Sequence, residues 1–254
     1  MSRTRRPLAL RPDPAAAVPE VAMVLAAGLG RRMLPLTETR PKPLVEVAGR
    51  ALIDHCFDRL RAAGVRKAVV NVHYLADILE GHLKNNVQGL EIAVSDEREQ
   101  LLETGGGMVK ALPLIDADPF LVVNSDNLWV DGPVDSLRLL ASNWDDKRMD
   151  ALLLLVPLAN AHCHKGQGDF HMSASGKLRR RKAGAVAPFV YTGIQIFSKR
   201  LLNGEHPDGP FSTNIFWDEA IAAERLYGVV HPGLWFDVGA PENIKKTEEM
   251  LAGG

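Results

Sequence analysis

Three features of this chain place reactive side chains where they could meet a phosphate or a metal ion. The first is Leu25-Ala26-Ala27-Gly28-Leu29-Gly30-Arg31-Arg32-Met33, directly after an apolar run. Glycines at this spacing let backbone N–H groups approach a phosphate with no Cβ in the way. Arg31 and Arg32 add positive charge where a polyphosphate would lie. Met33 stands where a dinucleotide fingerprint has its third glycine, and the Gly-Lys-Ser/Thr ending of a P-loop is missing. An ordinary tight strand-to-helix turn explains the glycines equally well. The second feature is Arg40-Pro41-Lys42-Pro43-Leu44, where proline rings stiffen the backbone on both sides of Lys42. A lysine held in this way suits a phosphate contact, and a solvated lysine between two turns is the plainer alternative. The third feature is a pair of aspartates. Asp126 ends Phe120-Leu121-Val122-Val123-Asn124-Ser125-Asp126, and Asp237 lies within Trp235-Phe236-Asp237-Val238-Gly239. Mg²⁺ takes one or two carboxylates and completes its shell with phosphate oxygens and water. Taken alone, Asp126 could open a turn with Asn127, and Asp237 could cap a helix near Pro241.

These residues need elements to carry them. Val21 to Ala27, Ala68 to Val72, Leu90 to Val94, Phe120 to Val123 and Ala151 to Val156 are short apolar runs of strand length. Between them, Leu52, Ile53, Cys56, Phe57 and Leu60 recur at helical spacing, with Gly64 as the stop. Leu75, Ile78, Leu79 and Leu83 predict a second helix, and Gly107 to Leu112 and Val134 to Leu140 predict two more. Strands alternating with helices predict a Rossmann-like α/β fold: a mixed, mostly parallel sheet with helices on both faces. Wholly apolar strands fit burial on both sides. In such sheets ligands bind beyond the carboxyl ends of the strands, where Asp126 falls. Residues 162–184 are polar and break the alternation. Val190 to Phe197, Leu226 to Val230 and Trp235 to Val238 then read as strands, and Asn214 to Glu224 and Pro241 to Leu251 as helices.

The whole motif set, L-A-A-G-x-G-x-R-M followed by P-K-P-L, resembles the sugar-1-phosphate nucleotidyltransferases. The resemblance extends through Leu102-Glu103-Thr104-Gly105-Gly106-Gly107 and the W-x-D-x-G segment at Trp235, spanning residues 21–251. It implies that Ala26, Ala27, Gly28, Gly30, Arg31, Glu103 and Gly105 bind a nucleotide. Arg32, Lys42 and Asp126 are implied as catalytic, with Asp126 and Asp237 as Mg²⁺ ligands. Asn124, His164, Asp169 and Gly193 are placed on the sugar side. A bulge in the strand is an equal alternative at Gly193. Ser125 stands where the family usually has glycine, which is acceptable if the backbone there is not left-handed. His164-Lys165-Gly166-Gln167-Gly168-Asp169-Phe170 marks a branch whose implied substrates are UTP and N-acetylmuramate 1-phosphate, in peptidoglycan recycling. Mannose 1-phosphate or heptose phosphate with GTP, glucose 1-phosphate with UTP or dTTP, and a nucleotide-sugar-binding regulatory subunit stay open. A metal site from His162, Cys163 and His164 is disfavoured, because neighbouring strand residues face opposite ways.

Composition narrows the field. The chain has 254 residues, with 30 Lys+Arg against 31 Asp+Glu and a formal net charge of −1. That balance provides no field for a polyanion, so nucleic acid is not an expected partner. Two cysteines cannot form a disulfide framework and suggest a reducing, cytoplasmic setting. No apolar run nears the roughly 20 residues that span a bilayer. Residues 1–20, rich in Arg, Pro and Ala, read as a disordered arm without a signal-peptide core, ahead of a single domain over residues 21–254. Monomer and dimer are both compatible with the sequence.

Overall fold

The computed structural model describes residue 13 and residues 15–253. The first half of the chain forms β1 (Val21–Leu25), a hairpin of β2 (Glu46–Val47) and β3 (Arg50–Ala51), α1 (Leu52–Ala63), β4 (Lys67–Val72), α2 (Ala76–Asn86), β5 (Glu91–Asp96), α3 (Glu103–Ala111), β6 (Phe120–Asn124) and β7 (Asn127–Val130). The second half forms α4 (Ser136–Asn143), β8 (Ala151–Pro157), β9 (Ala161–His162), β10 (Phe170–Met172), β11 (Leu178–Arg180), β12 (Phe189–Phe197), α5 (Asn214–Ala222), β13 (Leu226–Val230), β14 (Leu234–Asp237) and α6 (Pro241–Ala252).

The central sheet runs β5-β4-β1-β6-β12-β8-β13. Within it β12 alone opposes its neighbours β6 and β8, and the remaining pairings are parallel. The β10–β11 hairpin joins the sheet through Phe170 opposite Phe189. Alternation along the strands divides the core in two. Ala22, Val24, Val70, Leu121, Val123, Leu152 and Leu154 face α1, α2 and α4. Met23, Val69, Phe120, Val122, Leu153 and Leu155 face α3 and α5. Each strand is thus apolar on both sides for a packing reason.

Gly64 ends α1 in the left-handed region at φ 95°, its N–H bonded to the Arg61 carbonyl, as a helix-stopping glycine does. A second small sheet, β7-β14-β9, stands beside the first. Met33, Leu52, Leu128, Phe236 and Val238 fill the space under it, with Ile244 of α6 packed against them.

Two expectations are corrected. Helix α3 begins at Glu103, not Gly107, so its glycines lie inside the helix. Ser125 and Asp126 do form a turn, and it leads into β7 at Asn127. The polar stretch 162–184 holds β10 and β11. Most of the arm over residues 1–20 lies outside the described residues. In its described part, the Asp13 N–H donates to Ser142 Oγ (2.7 Å), and Val18 packs on the core. Among the described residues no helix is long and apolar enough to cross a membrane.

Candidate active site

The parallel strands β1, β4 and β6 end along one edge, and a cavity of about 400 Å³ opens there. That volume is in the range of small-molecule sites. Ala26, Ala27 and Gly28 line it from β1, Asn71 from β4, and Asn124, Ser125 and Asp126 from β6. Lys42 and Pro43 close one side, and Glu103, Thr104 and Ser212 another.

The first loop is held from below. The Ala26 N–H donates to Asn71 Oδ1 (2.6 Å), and Asn71 Nδ2 donates to Glu97 Oε1 (2.7 Å). Glu97 Oε2 accepts the Leu102 N–H (3.0 Å) at the entrance to α3. Glu97 is fully buried, and its carboxylate is tolerable because both oxygens are hydrogen-bonded. Ser125 ties the loop from the other side, with its N–H (3.1 Å) and its hydroxyl (2.8 Å) both donating to the Leu25 carbonyl. Ser125 is not among the residues with positive φ, so serine needs no glycine conformation there.

Gly30 does need one. Its φ is +62°, and a Cβ there would lie 2.9 Å from Thr37 Cγ2 and 3.1 Å from Lys42 Cβ. Gly30 therefore lets the Pro-Lys-Pro segment approach the first loop. Gly28 has nothing within 4 Å of a Cβ position, so it faces open space in the cavity. Arg31 and Arg32 lie on one 3₁₀ turn at the mouth, both exposed.

The two aspartates come together through strand pairing. Asn127 of β7 is directly opposite Asp237 of β14, which puts Asp126 one residue from Asp237's cross-strand partner. Lys42 Nζ donates to Asp126 Oδ2 (2.5 Å); the lysine side chain is 11% exposed and the aspartate 32%. His164 Nδ1 donates to Asp237 Oδ2 (3.2 Å). Burial pushes the Asp237 carboxyl up, but His164, Arg32 and Lys42 together outweigh it and hold the carboxyl below its ordinary value. These contacts leave Oδ1 of both aspartates outside the two ion pairs. Two carboxylates, one in the turn before β7 and one at the end of the facing β14, fit a divalent ion whose other ligands are phosphate oxygens and water. Among the described residues no group of three or more His, Cys, Asp or Glu could hold a metal alone. His162 meets the Phe236 ring at a tilt, Cys163 meets Thr247, and His164 meets Asp237, so the three diverge.

The other expected residues separate. Glu103 lines the cavity in a left-handed conformation, φ 58°, which costs a non-glycine residue about 1 kcal/mol or more. Gly105 does not offer its N–H to a ligand. That N–H donates to the Phe211 carbonyl (2.8 Å), and a Cβ there would lie 2.5 Å from the Phe211 ring. Gly193, at φ +82°, sits where the β12–β8 register shifts between Tyr191 and Gln195, so it is a bulge. It also packs on Asn124, with a Cβ position 3.0 Å from Asn124 Cβ. Asp169 is outside this cavity and accepts the Tyr191 N–H (2.9 Å). Sequence reasoning missed Glu97, Thr104 and Ser212. Glu97 follows the end of β5, and its place beyond a parallel strand was the available signal.

Fold and site together define a nucleotide-binding transferase built on a mostly parallel sheet. The Nucleotidyl transferase family matches residues 21–163, and the chain belongs to that family, whose members transfer nucleotides onto sugar 1-phosphates. Family members generally use a divalent metal. The chain is 47% identical to the N-acetylmuramate alpha-1-phosphate uridylyltransferase of Caulobacter vibrioides, over 92% of this chain and 98% of that protein. The enzyme of the same name from Neisseria meningitidis serogroup B is 34% identical, over 90% of this chain and 97% of that protein. Among solved structures, a UDP-glucose pyrophosphorylase complexed with UDP-glucose superposes with a TM-score of 0.76 at 16% identity, covering 92% of this chain and 99% of that one. An inositol-1-phosphate CTP transferase from T. maritima gives 0.75 at 18% identity, covering 92% and 96%. At these identities the two structures speak for the fold.

Proposed function

We propose that this chain joins UTP to N-acetylmuramate 1-phosphate and releases pyrophosphate. A phosphate oxygen of the sugar 1-phosphate forms a bond to the α-phosphorus of UTP. The bond from that phosphorus to the α–β bridging oxygen breaks, and its electron pair leaves with pyrophosphate. The nucleophile is already an anion at neutral pH, so no general base is needed. The barrier comes from bringing anions together and from charge gathering at the α-phosphate. Positioning and electrostatic neutralisation therefore supply the catalysis.

Lys42 carries this reading. Its ammonium is paired with Asp126 and near enough to Asp237 to lower that carboxyl, at the rim of the cavity formed by the first loop. In the reaction Lys42 neutralises phosphate charge. Gly28 and the backbone of Ala26 and Ala27 cradle the nucleotide, with Glu103 closing over it. Arg31 and Arg32 hold the triphosphate tail. Asp126 and Asp237 would hold Mg²⁺, which when bound supplies Lewis-acid stabilisation of the phosphoryl oxygens. His164 keeps Asp237 ionised and oriented. The uridine and muramate assignments rest on the relatives of that name. The free thiols of Cys56 and Cys163 accord with a cytoplasmic setting.

The test is pyrophosphate release by purified protein over a grid of UTP, GTP, CTP and dTTP against 1-phosphates of N-acetylmuramate, N-acetylglucosamine, mannose and glucose. The expected signal is strongest for UTP with N-acetylmuramate 1-phosphate, disappears with EDTA and returns with excess Mg²⁺. Turnover confined to GTP with mannose 1-phosphate would keep the chemistry and replace the substrates. An empty grid from folded, nucleotide-binding protein would instead indicate a regulatory subunit.

A further inference from the structure

A second cavity, of about 220 Å³, lies between β10, β11, β12 and the start of α5. Tyr191 of its lining is two residues along β12 from Gly193, which packs on Asn124 of the first cavity. Asn214 of its lining is two residues from Ser212, which lines the first cavity. The walls of the two cavities are thus near neighbours in the chain at two places.

Two polar atoms in this place are buried without a hydrogen-bond partner: Arg180 Nη1 and the Tyr191 hydroxyl oxygen. Both residues line the cavity. Leaving such a group unpaired costs about 1–3 kcal/mol, and native proteins carry few of them. Much of the remaining wall is already committed. Trp217 meets the Tyr191 and Phe170 rings edge-on, with centroids 4.9 and 5.6 Å away, and its indole N–H donates to Gln195 (2.9 Å). Arg181 spends Nε on the Gly168 carbonyl and Nη1 on that of Ala185. Asp169 has Oδ2 on the Tyr191 N–H, and Asp218 faces Arg180 Nε at 3.4 Å. The two arginines offset the two aspartates, so the unused donors decide what binds. Burial holds the Tyr191 hydroxyl in its protonated form, able to donate.

A cationic N–H and a neutral O–H, unpaired on residues that line one cavity, suit the oxygens of a carboxylate. We propose that this pocket binds a carboxylate substituent of the acceptor sugar, held by Arg180 and Tyr191. The inference deepens the proposed function and rests on it for the identity of the acceptor. N-acetylmuramate differs from N-acetylglucosamine by a lactyl ether that ends in a carboxylate. The pocket would thus separate these two sugars, while the first cavity holds the nucleotide common to both reactions.

The test measures kinetics with UTP and binding of the free sugars by calorimetry in the presence of UMP, for wild type, Arg180→Ala and Tyr191→Phe. Losing a charged hydrogen bond corresponds to about a 10- to 100-fold effect. Arg180→Ala should raise KM for N-acetylmuramate 1-phosphate by that factor, with KM for UTP nearly unchanged. N-acetylglucosamine 1-phosphate should be affected little, so the preference between acceptors collapses. Tyr191→Phe removes an unpaired buried hydroxyl and keeps the ring. It should raise the same KM several-fold and leave the urea midpoint equal or higher, a combination that loss of fold cannot produce. Equal losses on both acceptors, or no loss on either, would overturn the pocket and leave the proposed function standing. If wild type turns over neither acceptor yet binds N-acetylmuramate in preference to N-acetylglucosamine through Arg180, the pocket stands and the proposed reaction falls. If that preference is absent too, both fall.

Discussion

Lys42 shows how much one side chain can set the character of a cavity. It is nearly buried, it has a carboxylate within 2.5 Å, and it is close enough to a second to influence its ionisation. A triphosphate entering beside it would meet a cation already fixed in place, with no reorganisation needed. Lys42→Met should therefore lower the rate of pyrophosphate release by about 10²- to 10³-fold. Stability should change little, because Asp126 is a third exposed and water can replace the lost partner. Steady-state kinetics beside urea unfolding would check both halves, and unchanged kinetics would return Lys42 to a structural role. This residue was legible in the sequence because prolines flank it. Asp126 and Asp237 were legible as acids at the ends of apolar runs. Glu97 was not, since it sits in Ser95-Asp96-Glu97-Arg98-Glu99-Gln100, where nothing local shows which acid turns inward. Its selection depends on Asn71 and on Gly107, where a Cβ would come 2.7 Å from Glu97 Oε1. Such a choice is made by residues distant in sequence.

At the scale of elements, α3 is the clearest departure from local rules. Three consecutive glycines inside a helix cost about 1 kcal/mol each relative to alanine. Tertiary packing is what makes them necessary. Gly105 lies under the Phe211 ring and Gly106 under the Gly209 carbonyl, 2.5 Å from where a Cβ would be. Gly105→Ala should therefore destabilise the fold by about 1–3 kcal/mol in spite of its better helix propensity. Gly81, inside α2, has nothing within 4 Å of its Cβ position and no positive φ, so Gly81→Ala should stabilise by about 0.5–1 kcal/mol. Urea midpoints measured side by side would check the opposite signs; a loss of stability in both would mean that propensity and packing have been misjudged. The strands of the central sheet and helices α1, α2, α4, α5 and α6 were legible from periodicity, because each buries a continuous apolar face. The glycine-rich helix start was misplaced because glycine gives no periodic signal, and β10 and β11 were missed because they are strands of three residues in a polar stretch.

The whole molecule places its candidate site on the seam between two sheets. The first cavity belongs to the central sheet, but Asp237 is carried by β14 of the small one. His231 fastens the seam. The imidazole is buried, with Nδ1 2.8 Å from Ser136 Oγ on α4 and Nε2 3.0 Å from the Leu234 carbonyl at the start of β14. Its backbone N–H donates to Leu155 of β8 (2.7 Å). Burial pushes its pKa below the ordinary 6.5, against the opposing pull of the Leu234 carbonyl and Asp131. The unfolded chain then takes up a proton near 6.5 that the folded one refuses. Stability is full above that value and falls as pH drops below it, down to the folded pKa. Asp237, with its carboxyl lowered from 3.8, has the same sense of dependence in a separate, more acidic window: its contribution is present above 3.8 and lost as pH falls through the folded value. His231→Gln should be less stable than wild type above pH 6.5 by a constant amount, and the gap should narrow as pH falls below it. Urea unfolding of both proteins from about pH 8 to about pH 5 would reveal this. A gap that stays constant across the range would show that His231 does not report on the seam. A gap that narrows together with loss of pyrophosphate release would tie the docking of the small sheet to the activity of the site.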